Sequence, residues 1–567
     1  MTNALPVSQS FTLRERIVEA AIGTAGTVTF IDGDDHVTIS WSDLHDDARS
    51  LAAAMQARGT GPGDHVAILG PTTRSLVTAI QATWLCGACV VMLPLPMRMG
   101  SLEQFISQTR QRIADADSTA VLIDPQLAAF VEPTDGDPPF LSLTELIDAR
   151  VPASDYLEPP TDPDSMAVLQ FTSGSTSDPK GVVLSNRAIC NNIDGALTAA
   201  QMDLDDKVVS WLPLYHDMGM IGLLSIPMTS GVHLVQAAPQ DFMSRPSRWM
   251  QWLSDFGGTI TAGPNFSYVL ATRALKRAEG LDLSTLKIVL SGAEPIDCEA
   301  FRAFAEAGVR FGLPAESLYP AFGMAEVCIA GTFCTPGEGL LTDTVDAVML
   351  EHEQLATAVD PGHERARELA VLGRPVPGLS MRVVDPDTGR LCADREVGEL
   401  QISGNSLTSG YYRQPDATAE LIVDGWLHTG DLAYMVDGRM VMCGRIKDVI
   451  IIGGRNIYPQ DIEKIVGGIE GVRAGNVVAF GQTGRASKQH IVVVAETKLD
   501  PDAPERDALV KEISRAVTDE IGVPPRETVL VPAGTVPKTS SGKLQRSACR
   551  SMYEAGGLGK VPEGSNR

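Results

Sequence analysis

Short apolar runs alternate with longer amphipathic segments over the first 370 residues, and this alternation restricts the fold more than any other feature of the sequence. The amphipathic segments have helical spacing; in one of them, residues 101–116, Phe105, Ile106 and Ile113 share one helical face. The apolar runs that read as strands are HVAILG (65–70), MAVLQF (166–171), HLVQ (233–236) and LKIVLSG (286–292). Regular alternation of strands and helices predicts an α/β fold with layered parallel sheets.

Two later changes of pattern predict three domains in the chain of 567 residues. Residues 1–370 form the large α/β domain. Residues 371–444 consist of short strands divided by turns, which predicts a β-rich subdomain. Residues 445–567 combine strand-like runs such as IVVVAETK with one long amphipathic helix, so we expect a small α+β domain there.

Composition and charge exclude several classes of protein. Hydrophobic residues make up 44% of the chain and charged residues 21%, which is typical of a globular protein with a large core. The 71 acidic and 46 basic residues give a net charge of −25, and this charge disfavours nucleic acid as a partner. We find no apolar run of about 18 residues and no leader sequence, so no membrane span and no secretion are predicted. Nine scattered cysteines fit a reducing cytoplasm.

Two distant loops rich in small residues carry the strongest chemical signals. The first loop follows a predicted strand and reads TSGSTSDPKG (172–181). Its hydroxyl groups and glycines can present donors to phosphate oxygens, although such a string by itself is also typical of a solvated turn. It lacks the GxxxxGK[ST] pattern of mononucleotide-binding loops. The second loop, residues 537–546, carries Lys538 and Lys543.

Together with further motifs in a fixed order, the two loops resemble the adenylate-forming superfamily. That superfamily contains acyl- and aryl-CoA ligases, adenylation domains of peptide synthetases, luciferases and fatty-acyl-AMP ligases. The resemblance covers nearly the whole chain. The further motifs are SGAEP (291–295), YPAFGMAE (319–326), TGD (429–431) and GRIKD (444–448).

The resemblance implies a role for each matched position. Lys543 is the expected catalytic cation, Glu326 the ligand of Mg²⁺, and Lys447 the hinge of a mobile C-terminal domain. Asp431 is expected to accept the ribose hydroxyls, and Phe322 to cover adenine opposite Gly292. The expected ATP- and AMP-binding residues are Thr172, Ser173, Gly174, Ser175, Thr176, Lys180, Gly292, Ala293, Ala321, Phe322, Gly323, Met324, Asp431 and Arg445. ATP and Mg²⁺ are the implied cofactors.

Two residues depart from the superfamily pattern. Phe322 lacks a phenol hydroxyl, and Ala325 lacks the threonine hydroxyl that could touch the metal or a phosphate. Either change is expected to weaken magnesium binding.

Within the superfamily, three segments are similar to the fatty-acyl-AMP ligases. They are WLPLYHDMG (211–219), AGPNFSY (262–268) and GRNIYPQDIE (454–463). Residues 337–372 also resemble the insertion of that family, which is implied to restrain the swing of the C-terminal domain; the alternative is an ordinary surface insertion. A medium- or long-chain fatty acid is the implied substrate, with His216, Asp217, Met218 and Asn265 at the acyl site and His216 also catalytic. His216 could instead be an interior histidine, and the apolar residues of 218–228 could be core.

The acceptor of the acyl group has two candidates. The family resemblance implies the phosphopantetheine thiol of a holo acyl carrier protein of a polyketide or peptide synthase. Lys180 and Ile457 are closer to ligases that use coenzyme A. A third alternative, from another class, is a non-catalytic acyl-nucleotide binding protein. Residues 446–567 have a net charge of +2, against −27 for the rest, so we expect an acidic carrier to dock there, where Lys538, Lys543, Arg546 and Arg550 occur without an intervening acid.

Overall fold

The computed structural model describes residues 5, 8–95, 102–131, 133–172, 179–483, 489–539 and 542–558. The helices and strands below all lie within these ranges. The strands are β1 (Thr27–Asp32), β2 (Asp35–Ser40), β3 (His65–Leu69), β4 (Cys89–Met92), β5 (Ala120–Ile123), β6 (Phe140–Ser142), β7 (Met166–Thr172), β8 (Lys180–Ser185), β9 (Lys207–Ser210), β10 (His233–Gln236), β11 (Ile260–Gly263), β12 (Ile288–Ser291), β13 (Leu318–Gly323), β14 (Ala330–Phe333), β15 (Thr342–Asp346), β16 (Ala366–Ala370), β17 (Arg374–Pro375), β18 (Leu379–Val384), β19 (Gly398–Gly404), β20 (Ile422–Val423), β21 (Trp426–Val436), β22 (Arg439–Arg445), β23 (Ile450–Ile452), β24 (Arg455–Ile457), β25 (Val472–Thr483), β26 (Gln489–Thr497) and β27 (Glu527–Pro532).

Helices follow most of the strands of the large domain, as the alternation predicts. They are α1 (Leu13–Gly23), α2 (Trp41–Gln56), α3 (Arg74–Leu85), α4 (Leu102–Asp115), α5 (Pro125–Ala128), α6 (Leu143–Asp148), α7 (Asn186–Ala199), α8 (Ile226–Ser230), α9 (Pro239–Ser244), α10 (Ser247–Phe256), α11 (Asn265–Leu275), α12 (Cys298–Gly308), α13 (Ala347–His352), α14 (Pro415–Leu421), α15 (Pro459–Gly467), α16 (Glu505–Ile521) and α17 (Arg546–Glu554). A π-helical segment, Met218–Ser225, precedes α8.

Two mixed sheets, mostly parallel, form the large domain and confirm the predicted fold class. A nine-stranded sheet has the order β17-β14-β13-β12-β11-β9-β10-β1-β2, and a six-stranded sheet has the order β6-β5-β3-β4-β7-β8. The strands predicted at 65–70, 166–171, 233–236 and 286–292 are all present. Their buried apolar residues join those of α2, α3 and α7 in one large hydrophobic core.

Smaller sheets follow in the second half of the chain. A five-stranded sheet contains β18 to β22 and begins after the two-stranded sheet β15-β16. The last part of the chain has a three-stranded sheet, β25-β26-β27, which packs with α15 and α16 around its own core. This arrangement leaves the loop between β27 and α17 facing the large domain, where its Lys543 reaches His216.

Candidate active site

A cavity of about 780 Å³ lies where the large domain, the five-stranded sheet and the last domain meet. It is placed at the carboxyl ends of β7, β12 and β13, where parallel α/β sheets commonly bind ligands. The five-stranded sheet contributes the β21–β22 pair, and the last domain contributes Lys543. The cavity therefore brings together residues that are hundreds of positions apart in the sequence.

Lys543 is held in the cavity by its own loop and by His216. The loop closes on itself because the Lys543 amide donates to Thr539 Oγ1 at 3.0 Å and the Thr539 amide donates to the Lys543 carbonyl at 2.8 Å. The Lys543 Nζ lies 3.3 Å from Nε2 of His216. Burial lowers the pKa of Lys543, and the nearby charges of Asp217 and Glu294 oppose that change. A desolvated ammonium group in this position is suited to stabilising negative charge on a bound reactant.

His216 connects Lys543 to a buried carboxylate. Its Nδ1 lies 2.6 Å from Oδ1 of Asp217, which also accepts the Met218 amide at 2.7 Å. An ammonium group can only donate, so Nε2 of His216 accepts from Lys543 and the Nδ1 proton is donated to Asp217. Burial would raise the pKa of Asp217, but His216 and Lys543 outweigh it, and the pKa is lowered. Asp217 thus remains an anion that orients the imidazole.

Asp431 and Arg445 form the polar wall contributed by β21 and β22. The two residues are direct partners in the antiparallel register, and Arg445 Nε donates to Asp431 Oδ1 at 2.9 Å. Asp431 is buried, and its charge raises the pKa of Arg445. The guanidinium group fixes one carboxylate oxygen of Asp431, and both residues line the cavity.

The residues predicted to surround adenine lie together on the cavity wall. Gly292 is in close contact with β13, because a Cβ atom there would lie 3.0 Å from the Ala321 carbonyl oxygen. Ala293 has a left-handed backbone with φ of 69°. All six predicted positions line the cavity, and they are Gly292, Ala293, Ala321, Phe322, Gly323 and Met324.

Glu326 lies in the same cavity and has a partner that the sequence did not suggest. Tyr411 donates its phenol hydrogen to Oε1 of Glu326 at 2.9 Å, and the ring of Tyr411 lies 4.4 Å from Nζ of Lys180. Burial raises the pKa of Glu326. Among the described residues no group of three or more His, Cys, Asp or Glu side chains could hold a metal ion. A buried carboxylate beside a phosphate site fits Mg²⁺, provided that phosphate and water oxygens supply its other ligands.

The first predicted loop is only partly described. Thr172 and Lys180 are paired across β7 and β8 and line the cavity. Ser173, Gly174, Ser175 and Thr176 lie outside the described residues.

Of the four residues predicted for the acyl site, three line the cavity and one does not. His216, Asp217 and Met218 line the cavity. Asn265 is absent from the described lining, because its amide donates to the Pro295 carbonyl at 2.7 Å and its Oδ1 accepts the Asp297 amide at 3.1 Å. It therefore fastens the start of α11 to the 295–297 turn. Met220, Ile221, Leu224 and Met228 belong to the core, as the alternative interpretation held.

The segment 337–372 contacts the last domain directly. The Glu351 carboxylate in α13 lies 2.5 Å from a guanidinium nitrogen of Arg455, and Arg367 in β16 lies 3.2 Å from the Asp461 carboxylate. The Arg367 guanidinium also covers the ring of Tyr458 at 4.4 Å. These contacts, here called the latch, hold the last domain at points beyond Lys447, which itself lines the cavity.

The prediction that Arg546 forms part of a docking surface is wrong. Arg546 is paired with both Glu463 at 2.7 Å and Asp448 at 3.1 Å, and only 18% of its side chain is exposed. These ion pairs secure the end of the Lys543 loop. Arg550 is more exposed and pairs with Glu554 one helical turn away at 2.9 Å.

Comparison with known proteins identifies the family. The model of the AMP-binding enzyme family matches residues 18–412, and that of the AMP-binding enzyme C-terminal domain matches residues 454–548. The chain belongs to the AMP-binding enzymes. The matched regions contain Gly292, Phe322 and Lys543, which line one cavity.

The chain is similar to three named relatives and to one solved structure. A long-chain-fatty-acid–AMP ligase of Mycobacterium marinum is 31% identical over 92% of this chain and 93% of its own length. A medium-chain-fatty-acid–[acyl-carrier-protein] ligase of Moorena producens is 31% identical, over 92% and 90%. A Caulobacter vibrioides protein named as an acyl-CoA synthetase is 33% identical, over 97% and 96%. A structure from a study of fatty acyl-adenylate ligases of E. coli and L. pneumophila has a TM-score of 0.90 and 29% identity, with 98% of this chain and 100% of that chain covered.

This AMP-binding enzyme is an ATP-dependent fatty-acid–AMP ligase. No helix in the described part of the chain is long and apolar enough to cross a lipid bilayer.

Proposed function

We propose that the enzyme forms an acyl-adenylate and then transfers the acyl group to the phosphopantetheine thiol of a holo acyl carrier protein. In the first step a carboxylate oxygen attacks the α-phosphorus of ATP, a P–O bond forms, and the bond to pyrophosphate breaks. In the second step the thiolate attacks the acyl carbon and AMP leaves. The observation that carries this proposal is the position of Lys543 in the cavity while the latch holds the last domain against segment 337–372.

The first step brings together two anions, so its barrier is largely electrostatic. We assign to Lys543 the stabilisation of the negative charge that develops between the carboxylate and the α-phosphate. His216 and Asp217 orient Lys543, because the Lys543–His216 hydrogen bond fixes the direction of its ammonium group. The nucleoside is positioned by Phe322, Asp431 and Arg445. This positioning brings the two reactants of like charge close together.

Mg²⁺ is proposed as the cofactor, with Glu326 as its protein ligand. When bound, the ion would neutralise phosphate charge as pyrophosphate departs. Tyr411 orients the Glu326 carboxylate through its phenol hydroxyl, a group that Ala325 cannot supply.

The latch favours the carrier protein over coenzyme A as acceptor. The second step is proposed to need rotation of the last domain about Lys447, which moves Lys543 away and opens a path for a thiol. The latch opposes that rotation through Glu351 and Arg367, both largely buried. Breaking the latch costs free energy, and a carrier protein can offset it with the free energy of docking on the last domain. Coenzyme A has a smaller surface and can offset less of it. The similarity to a ligase named for an acyl-carrier-protein acceptor supports the same choice.

Transfer of a radiolabelled fatty acid tests the proposal. The purified enzyme is given ATP, Mg²⁺ and dodecanoate, with either holo acyl carrier protein or coenzyme A, and apo carrier protein serves as the matched control. We expect label on the holo carrier alone. Efficient acyl-CoA formation without carrier loading would instead support the second candidate function, an acyl-CoA ligase, which the Caulobacter relative and Lys180 favour.

A further inference from the structure

The apolar part of the cavity follows one face of the nine-stranded sheet. Leu290 in β12 is in register with Ala262 on one side and with Tyr319 on the other, and all three line the cavity. Ile288 lies two positions earlier on the same face. The distance along β12 from Gly292 to Ile288 is about 13 Å at the usual rise of a strand. An alkyl chain can therefore extend from the nucleotide end of the cavity along this face.

Phe333 in β14 forms the lateral boundary of this space. Its antiparallel partner on one side is Ala321, which lines the cavity, and its partner on the other side is Arg374. Directly opposed residues point to the same face of a sheet, so the Phe333 ring stands between the two. The ring is half-buried and meets Tyr319 edge to face, with centroids 5.6 Å apart.

A second pocket of about 200 Å³ lies on the far side of Phe333. Phe333 lines both spaces, and α7 covers both. Ala196 and Ala200 face the cavity, whereas Ala199 lines the outer pocket together with Cys334 and Pro375. A single aromatic side chain thus separates the cavity from an outer pocket whose walls combine the apolar Ala199, Cys334 and Pro375 with the polar or charged side chains of Thr198, Gln201, Thr335, Glu338, Arg374 and Arg439.

We propose that Phe333 is a specificity-determining residue that limits the length of the acyl chain. With the ring in place, the chain ends inside the cavity. Without the ring, the end of a longer chain enters the outer pocket between Ala199 and Pro375. This inference rests on the assignment of the apolar part of the cavity to the acyl group, and it does not depend on which thiol accepts the acyl group.

The test is a chain-length profile of adenylate formation for saturated acids from four to twenty carbons. Pyrophosphate release is measured with hydroxylamine as the acyl acceptor, so a failure of carrier loading leaves the result unchanged. We expect Phe333→Ala to extend the longest acid that is used efficiently, with kcat/KM rising roughly fourfold for each additional buried methylene. Phe333→Leu provides a milder change if the alanine variant folds poorly.

Two further variants test whether the longer chain enters the outer pocket past Phe333 or only fills a larger cavity. Leu290→Ala enlarges the cavity without bordering the outer pocket, so any gain in chain length that it gives should survive Ala199→Leu, unlike the gain from Phe333→Ala. Ala199→Leu fills the outer pocket and should cancel the gain when it is combined with Phe333→Ala. An unchanged limit in Phe333→Ala with normal use of short acids, or a gain from Phe333→Ala that survives Ala199→Leu, overturns the proposal.

Discussion

Replacement of Glu351 by Gln should loosen the latch without touching the cavity. Only 6% of the Glu351 side chain is exposed, and its Oε2 accepts two hydrogen bonds from Arg455, at 2.5 and 3.1 Å. Charge-assisted hydrogen bonds of this kind are worth about 1.5–3 kcal/mol. Because about 1.4 kcal/mol corresponds to a factor of ten, the population with the last domain detached should rise roughly tenfold to a hundredfold.

Hydrogen–deuterium exchange of segment 444–458 measures this change, since amides covered by the interface exchange only when it opens. We expect faster exchange there by a similar factor, with unchanged exchange in β3 and β4. Glu353→Gln is the matched control, because Glu353 is exposed two positions away. Wild-type exchange in Glu351→Gln would show that the ion pair does not restrain the domain.

Two other predictions concern the cavity itself. Tyr411→Phe removes the donor to Glu326 and should raise the KM for Mg²⁺-ATP about fivefold to a hundredfold, while the chain-length profile stays constant. The control is Tyr412→Phe, which loses a hydrogen bond to Asp117. Equal KM values in the two variants would contradict the role of Tyr411. Lys543 must carry its proton, and burial lowers its pKa, so kcat/KM for adenylation should be full at low pH and fall as pH rises through a value below 10.5. Lys543→Arg should move that alkaline limb upward or remove it, and a limb unaffected by the substitution would assign it to another group.

The fold was predictable because its signals are local. The strand at 233–236 and the helix within 101–116 are set by apolar spacing over a few residues, and both are present. Asp431 and Arg445 are neighbours because one hairpin carries them. By contrast, nothing in the spacing brings Lys543 to His216 across 327 positions. The family resemblance assigned both residues to the active site but did not predict their contact.

The contacts that the sequence did not reveal join residues that are far apart in the chain and meet only after folding. Tyr411 was missed because its partner Glu326 is 85 positions away and the two elements meet only in the folded chain. The position of Asn265 outside the cavity lining could not be foreseen, because its side-chain partners Pro295 and Asp297 are 30 and 32 positions away and meet it only in the folded chain. Arg546 was taken for a surface charge because the sequence does not reveal that Glu463 and Asp448 enclose it.

Exchange of labelled pyrophosphate into ATP, in the presence of a fatty acid, measures most directly whether Lys543 drives adenylation. The comparison is between Lys543→Ala and Lys538→Ala, because Lys538 stands in the same loop but does not line the described cavity. Loss of one stabilising group for transition-state charge costs about a hundredfold to a thousandfold in rate. We predict a loss of that size in Lys543→Ala with ATP binding retained, and near wild-type exchange in Lys538→Ala. Undiminished exchange in Lys543→Ala would contradict the account.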